Sequence, residues 1–71
     1  MPKLPTNIKG RDLIKILEKS GFVQTGGKGS HVRLKNPDGR WTQVAVHTKP
    51  IPQGTLRAIL RQSKLDVENL K

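Results

Sequence analysis

The chain of 71 residues contains no cysteine, so neither a disulfide nor a thiolate metal site can hold it together. This absence fits a reducing compartment. No apolar run approaches the roughly 20 residues needed to cross a membrane, and the N-terminus lacks the apolar segment of a signal peptide. We therefore expect a soluble, cytoplasmic protein without membrane contact, and the length predicts a single domain over residues 1–71.

Acidic residues are also scarce. Five Asp and Glu stand against fourteen Lys and Arg, which gives a net charge of +9, and between Lys19 and Lys64 the sole acid is Asp38. A field of this sign favours nucleic acid or an acidic protein as partner, with a merely solubilising surface as the alternative. The scarcity argues against the paired carboxylates of a two-metal nuclease and against a zinc site, so we expect neither metal nor cofactor.

Two amphipathic segments predict helices. Apolar residues at helical spacing predict the first helix over residues 9–20, with Thr6 or Asn7 as cap and Gly21 as left-handed terminator. The second helix is expected to carry Pro52 in its first turn, where a missing N–H does no harm.

Three stretches between the helices have strand character. Residues 22–25 predict a first strand, which the glycines at 26, 27 and 29 are expected to end. Alternation of apolar and polar residues predicts strands over 31–35 and 41–46. The segment 36–39, Asn-Pro-Asp-Gly, predicts the turn between them.

This order predicts an α+β fold, α-β-β-β-α, with a three-stranded antiparallel sheet and both helices on one face. Val32, Leu34, Val44 and Val46 would meet the helices. The opposite face would then display His31, Arg33, Lys35, Trp41, Gln43 and His47. Double-stranded RNA-binding domains have the same order, an analogy of fold and not of function. Asp66 would cap a last short turn.

His31 is the leading candidate for chemistry. Its imidazole exchanges protons near neutral pH, and alternation places it outward beside Arg33 and Lys35. RNA contains its own nucleophile, the 2′-hydroxyl, so one imidazole with nearby cations is in principle sufficient for cleavage without a metal. The competing interpretation is a surface histidine with no role.

His47, Lys28 and Ser30 are candidates for catalytic support. His47 ends the third strand on the face of His31; it either shares the acid–base work or simply precedes a proline-rich connection. Lys28 and Ser30 belong to a glycine-rich loop whose backbone N–H groups would cradle a phosphate. The loop lacks the spacing of a P-loop, and a flexible hairpin connection is equally consistent with it.

Several side chains are candidates for holding RNA. An outward Trp41 would stack on a base, anchor a protein interface, or pack on the stem of Arg33 or Lys35. Arg57 and Arg61, one helical turn apart, form a cationic edge suited to a phosphate backbone. The predicted RNA-binding set is Lys28, Arg33, Lys35, Trp41, Arg57 and Arg61.

An ordered set of segments from about residue 10 to residue 65 resembles the HicA toxin family. A helix is followed by Gly-Phe at 21–22, Lys-Gly-Ser-His at 28–31, Asn-Pro-Asp-Gly at 36–39 and IPQGTLRAIL at 51–60. The resemblance implies a small bacterial messenger-RNA interferase of double-stranded-RNA-binding-like fold, the toxin of a type II toxin–antitoxin system. It implies His31 as the catalytic residue and a HicB antitoxin that covers the His31 face.

The favoured hypothesis is therefore a metal-independent endoribonuclease that cleaves mRNA. A non-catalytic RNA-binding module of the same fold is the alternative from another class, since it needs the charge but not the histidine. A third hypothesis, an interaction protein whose His31 and Trp41 face docks an acidic partner, is compatible with a toxin covered by its antitoxin.

Overall fold

The computed structural model describes residues 7–65 and has the predicted order of elements. The elements are α1 (Gly10–Lys19), β1 (Val23–Lys28), β2 (His31–Lys35), β3 (Trp41–Ala45) and α2 (Gln53–Ser63). The three strands form an antiparallel sheet in the order β1-β2-β3. The predicted α+β fold is confirmed. The predicted cap at Thr6 and the turn from Asp66 lie outside the described residues.

Both helices pack on one face of the sheet. Leu34 and Val44 are fully buried there, and Val32 and Val46 are partly buried, as alternation predicts. The helices contribute Leu13, Ile14, Leu17, Leu56, Ile59 and Leu60 to the same core. We call the opposite side of the sheet, where the side chains of β2 are exposed, the outer face.

The C-terminal end of α1 confirms the predicted role of Gly21. Gly21 has φ 95 and its N–H donates to the carbonyl of Glu18 at 3.1 Å. The N–H of Phe22 donates to the carbonyl of Leu17 at 3.0 Å, which completes a Schellman motif. This ending turns the chain sharply into β1.

The N-terminal end of α1 differs from the prediction. The cap is Lys9 and not Asn7, and the backbone N–H of Lys9 donates to Asp12 Oδ2 at 3.4 Å. The next residue, Gly10, lies against the carbonyl of Ala45, where a Cβ atom would collide with the oxygen. Packing against β3 therefore decides where the helix begins, a constraint that no local cap signal contains.

The prediction that the glycines end the first strand is wrong. β1 begins at Val23 and continues through Gly26 and Gly27 to Lys28. A β-bulge at Thr25 leaves this residue without a directly opposite residue in the register with β2. Gly26 and Gly27 have φ 135 and 154, backbone that glycine adopts without a steric penalty, so pairing with β2 continues through them.

The turn between β2 and β3 is confirmed. The N–H of Asn36 donates to the carbonyl of Arg40 at 2.7 Å, and Gly39 has φ 102. Asn36 is buried and its Nδ2 donates to the carbonyl of Ser20 at 3.3 Å, which ties the turn to α1. Arg40 ties it to α2, because Nη1 donates to the carbonyl of Ser63.

Several boundaries are one residue short of the prediction: α1 covers Gly10–Lys19 and not 9–20, and β1 begins at Val23 and not at residue 22. β3 ends at Ala45, because Val46 already donates its N–H to the β1–β2 turn. α2 begins at Gln53, with Pro52 as its N-cap and not in its first turn. Neither helix within residues 7–65 is long and apolar enough to span a membrane.

Candidate active site and nucleic-acid interface

His31 begins β2 because the two preceding residues form a hairpin turn. Lys28 pairs with His31, which leaves Gly29 and Ser30 as a two-residue loop. Gly29 has φ 63 whereas Ser30 has no positive φ, the pattern of a type II′ turn. The carbonyl of Ser30 accepts a hydrogen bond from the N–H of Val46 at 2.7 Å. The turn is thus tied to the chain after β3, and His31 lies at one corner of the sheet.

A row of three residues crosses the outer face at this corner. Lys28, His31 and Ala45 lie directly opposite one another on β1, β2 and β3. Directly opposed residues on one face have Cβ atoms about 4.5–5.5 Å apart, so the Lys28 ammonium can reach a group bound at His31. Ala45 is small, which leaves the space beside the imidazole open toward the end of β3.

A groove of about 450 Å³ runs from His31 past the end of β3 to α2. His47 and Lys49, from the connection after β3, and Thr55, from the first turn of α2, supply polar groups to it. The rest of the lining is apolar: Ala45, Pro50, Ile51, Pro52 and Ile59. The structure therefore brings the two predicted histidines to one groove, where one imidazole can act as base and the other as acid on the same substrate.

The other end of the outer face is an open depression of about 650 Å³, lined by Thr25, Arg33, Lys35 and Trp41. Trp41 is 53% exposed, so its predicted outward direction is confirmed. The Arg33 guanidinium carbon lies 5.9 Å from the centroid of the indole ring, a cation–π contact. The predicted packing on Arg33 is thus present, and it leaves about half of the indole accessible.

Arg57 and Arg61 lie apart from both depressions. They are exposed on α2, and Arg57 is two residues beyond Thr55, which is about 200° around the helix axis. Thr55 lines the groove of His31, so the two arginines project from another side of the helix. Their contact with RNA stays a prediction.

The outer face is cationic, since no residue of β1, β2 or β3 is Asp or Glu. The acid beside it, Asp38, accepts the backbone N–H of Arg40 at 3.0 Å and the guanidinium Nε at 2.7 Å. The backbone hydrogen bond first, and the guanidinium second, lower the pKa of Asp38. Within residues 7–65 no three His, Asp or Glu side chains gather where they could hold a metal ion.

Three polar residues that line these depressions were not predicted from the sequence. Lys49 and Thr55 line the groove and Thr25 lines the open depression. The sequence contains a feature that could have predicted Lys49, since it is a cation two positions after His47 in the same connection. Thr25 and Thr55 have no such feature, because a β-bulge and the packing of α2 place them.

A protein-family model matches this sequence, over the helices and strands described above. The model of the HicA toxin of bacterial toxin–antitoxin systems matches residues 10–65, from the first residue of α1 to just beyond α2. A comparison with curated proteins finds no significant match. The family match spans well over half of the chain and includes the hairpin turn, His31 and the groove. The chain therefore belongs to the family of HicA toxins of bacterial toxin–antitoxin systems.

Proposed function

We propose that this toxin is a metal-independent endoribonuclease that cleaves messenger RNA in the cytoplasm, with His31 as its catalytic residue. The observation that carries the proposal is the convergence of His31 and His47 on one groove, with Lys28 opposite His31. Two imidazoles and an ammonium group are sufficient for acid–base cleavage of a phosphodiester that contains its own nucleophile.

The chemistry follows from these groups. One imidazole takes the proton from the 2′-hydroxyl, whose oxygen attacks the adjacent phosphorus. The bond from phosphorus to the 5′-oxygen breaks, and the second imidazole gives that oxygen its proton. The products are a 2′,3′-cyclic phosphate and a 5′-hydroxyl. Lys28 would offset the negative charge that builds on the phosphoryl oxygens, and the Ser30 turn would hold His31 in place.

The remaining predicted residues would hold the RNA. Arg33, Lys35 and Trp41 lie on the outer face beyond His31, without an acid on any strand. Arg57 and Arg61 would contact a longer RNA from the side of α2. Phosphate contacts of this kind position the substrate and carry no sequence information.

Membership of a toxin–antitoxin family implies an antitoxin as partner. We propose a HicB-type antitoxin that covers the His31 face. The net charge of +9 favours an acidic partner surface, and a protein laid over the groove would exclude RNA from both histidines.

The test is cleavage of RNA by the His31→Ala variant in buffer with chelator. We expect binding and thermal stability to be retained, because His31 is exposed, whereas cleavage and growth arrest in cells are lost. Gln43→Ala is the matched control, since Gln43 is exposed on the outer face but lines neither depression.

Three outcomes would contradict the proposal. Unchanged cleavage by His31→Ala would remove the histidine from the mechanism. A 5′-phosphate on the products would indicate an activated water and not the 2′-hydroxyl as nucleophile. Binding of RNA by the wild-type protein without cleavage would favour the non-catalytic RNA-binding module.

A further inference from the structure

We propose that the outer face binds its RNA as a single strand, with one base stacked on Trp41 while the scissile phosphodiester lies at His31. This inference rests on the proposed ribonuclease function. It adds the conformation of the substrate and a second subsite at the opposite end of the sheet.

The depression beside Trp41 has the shape of a base subsite. Trp41 forms its wall on β3, and Arg33 and Lys35 rise from β2. On β1 the residue opposite Arg33 is Gly26, which has no side chain, and a Cβ placed there would meet nothing within 4 Å. No side chain therefore stands opposite Arg33 on β1, and a base can lie flat against the exposed part of the indole ring.

The register of the sheet sets the spacing between the two subsites. Trp41 and Ala45 lie four residues apart on β3, and Ala45 is opposite His31. At about 3.4 Å per residue, the row of Trp41 is about 14 Å from the row of His31. A strand with the helical spacing of about 3.4 Å per nucleotide would cover this distance in about four nucleotides, and an extended strand in fewer.

The exposed indole selects an unpaired base. In a duplex the bases are stacked on one another and a protein meets phosphates and 2′-hydroxyls, whereas bases of a single strand are free to stack on aromatic side chains. Cleavage makes the same demand, because the 2′-oxygen must line up behind the leaving 5′-oxygen, and a paired backbone resists that rotation. Both ends of the outer face thus favour the same form of RNA.

The distribution of charge favours RNA over a protein at the Trp41 depression, which lies away from the His31 groove that the proposed antitoxin would cover. Among residues 7–65 the large exposed apolar side chains are Val23 and Trp41, and they do not form one patch, because Lys35 lies between them in the register. The centre of a protein interface is depleted of charge, and lysine in particular. A nucleic acid, by contrast, presents bases and phosphates in alternation, which matches an indole flanked by Arg33 and Lys35.

Trp41 is the only tryptophan of the chain, so its fluorescence reports this subsite alone. The His31→Ala variant, which leaves RNA intact, is titrated with an octanucleotide and with a hairpin duplex of the same composition. We expect saturable quenching by the single strand and at least about five-fold weaker binding of the duplex.

The second measurement compares an octanucleotide, which reaches Trp41, with a dinucleotide, which does not. In the wild-type background, Trp41→Ala is expected to raise KM for the octanucleotide by about five- to fifty-fold relative to its effect on the dinucleotide. Trp41→Phe should restore most of the difference, and Trp41→Leu should not. Val23→Ala is the matched control, an exposed apolar residue in the same row that does not line the depression.

Each unexpected result of these two measurements has a different interpretation. Absence of quenching with unchanged KM overturns the subsite and makes a protein partner the remaining occupant of the face. Equal losses on both substrates overturn the stacking role, since they place the effect of Trp41 in the fold or at His31. If RNA quenches the Trp41 fluorescence of His31→Ala but the wild-type protein does not cleave that RNA, the subsite is supported and the proposed ribonuclease function is overturned.

Discussion

His31 and His47 reach the same groove by different routes. His31 lies on β2, where the hairpin turn before it and the pairing with Ala45 determine its position. His47 lies beyond β3, in a connection that Val46 ties to Ser30. One backbone hydrogen bond thus relates the two histidine segments, which supports our proposal of His47 as the second acid–base group.

Replacement of His47 by alanine tests this role. We expect kcat for RNA cleavage to fall by about 10²- to 10⁴-fold, because the partner imidazole would be lost, while RNA affinity changes little. Thr48→Ala is the control, since Thr48 is adjacent but does not line the groove. Equal kcat values for the two variants would show that His47 is a bystander.

Arg40 is a cation whose contacts are structural. Its guanidinium pairs with Asp38, donates to the carbonyl of Ser63 and lies 5.2 Å from the centroid of the Phe22 ring. One side chain therefore joins the β2–β3 turn, the end of α2 and the segment after α1. At least one cation of this basic chain therefore has a structural role.

At the scale of elements, α1 and α2 both contain a glycine near their first residue, for different reasons. Gly10 allows α1 to approach the carbonyl of Ala45. Gly54, in the first turn of α2, has nothing within 4 Å of a Cβ position. Helix propensity alone would predict that alanine improves both positions.

The structure predicts opposite signs for the two substitutions. Gly10→Ala should lower the free energy of unfolding by about 1–3 kcal/mol, because the methyl group meets backbone that cannot move freely. Gly54→Ala should raise it by about 0.4–1 kcal/mol, since it reduces the freedom of the unfolded chain without a clash. Urea denaturation of the two variants measures both. Stabilisation by Gly10→Ala would contradict the close approach of α1 to β3.

At the scale of the whole molecule, cations lie on both sides of the sheet, whereas the acids of residues 7–65 lie outside its strands. The strands carry cations and no acid, whereas Asp12 and Glu18 lie on α1, in the helical layer. A net charge of +9 attracts RNA to the protein from any direction. The acid-free outer face then favours an RNA that lies across the sheet and not along α1.

The salt dependence of RNA binding tests this preference. For a single strand, the slope of log K against log salt is about 0.7 per phosphate contact, so Lys35→Gln should reduce it by about that amount. Lys15→Gln removes the same charge from α1 and should leave the slope unchanged. Both are measured by titration of a labelled octanucleotide into the His31→Ala background. Equal changes in slope would mean that RNA contacts both sides without preference.

The amino-acid sequence by itself determined the properties that depend on neighbours along the chain. The alternation of β2 directs His31, Arg33 and Lys35 outward, because successive strand residues point to opposite faces. The end of α1 at Gly21 and the turn at 36–39 could be predicted because they need backbone angles that few residue types adopt. Composition determined the sign of the charge, which is the basis on which we propose RNA and an acidic protein surface as partners.

Tertiary structure decided what depends on contacts between distant segments. His31 and His47 share a groove only because β2 pairs with β3 and the connection folds back toward α2. β1 continues through two glycines because β2 supplies hydrogen-bond partners that outweigh their freedom. Arg57 projects away from the groove because the packing of Leu56 against the core sets the rotation of α2. Local sequence patterns predict none of these three features. Each depends on which distant segments bury their apolar surfaces against one another.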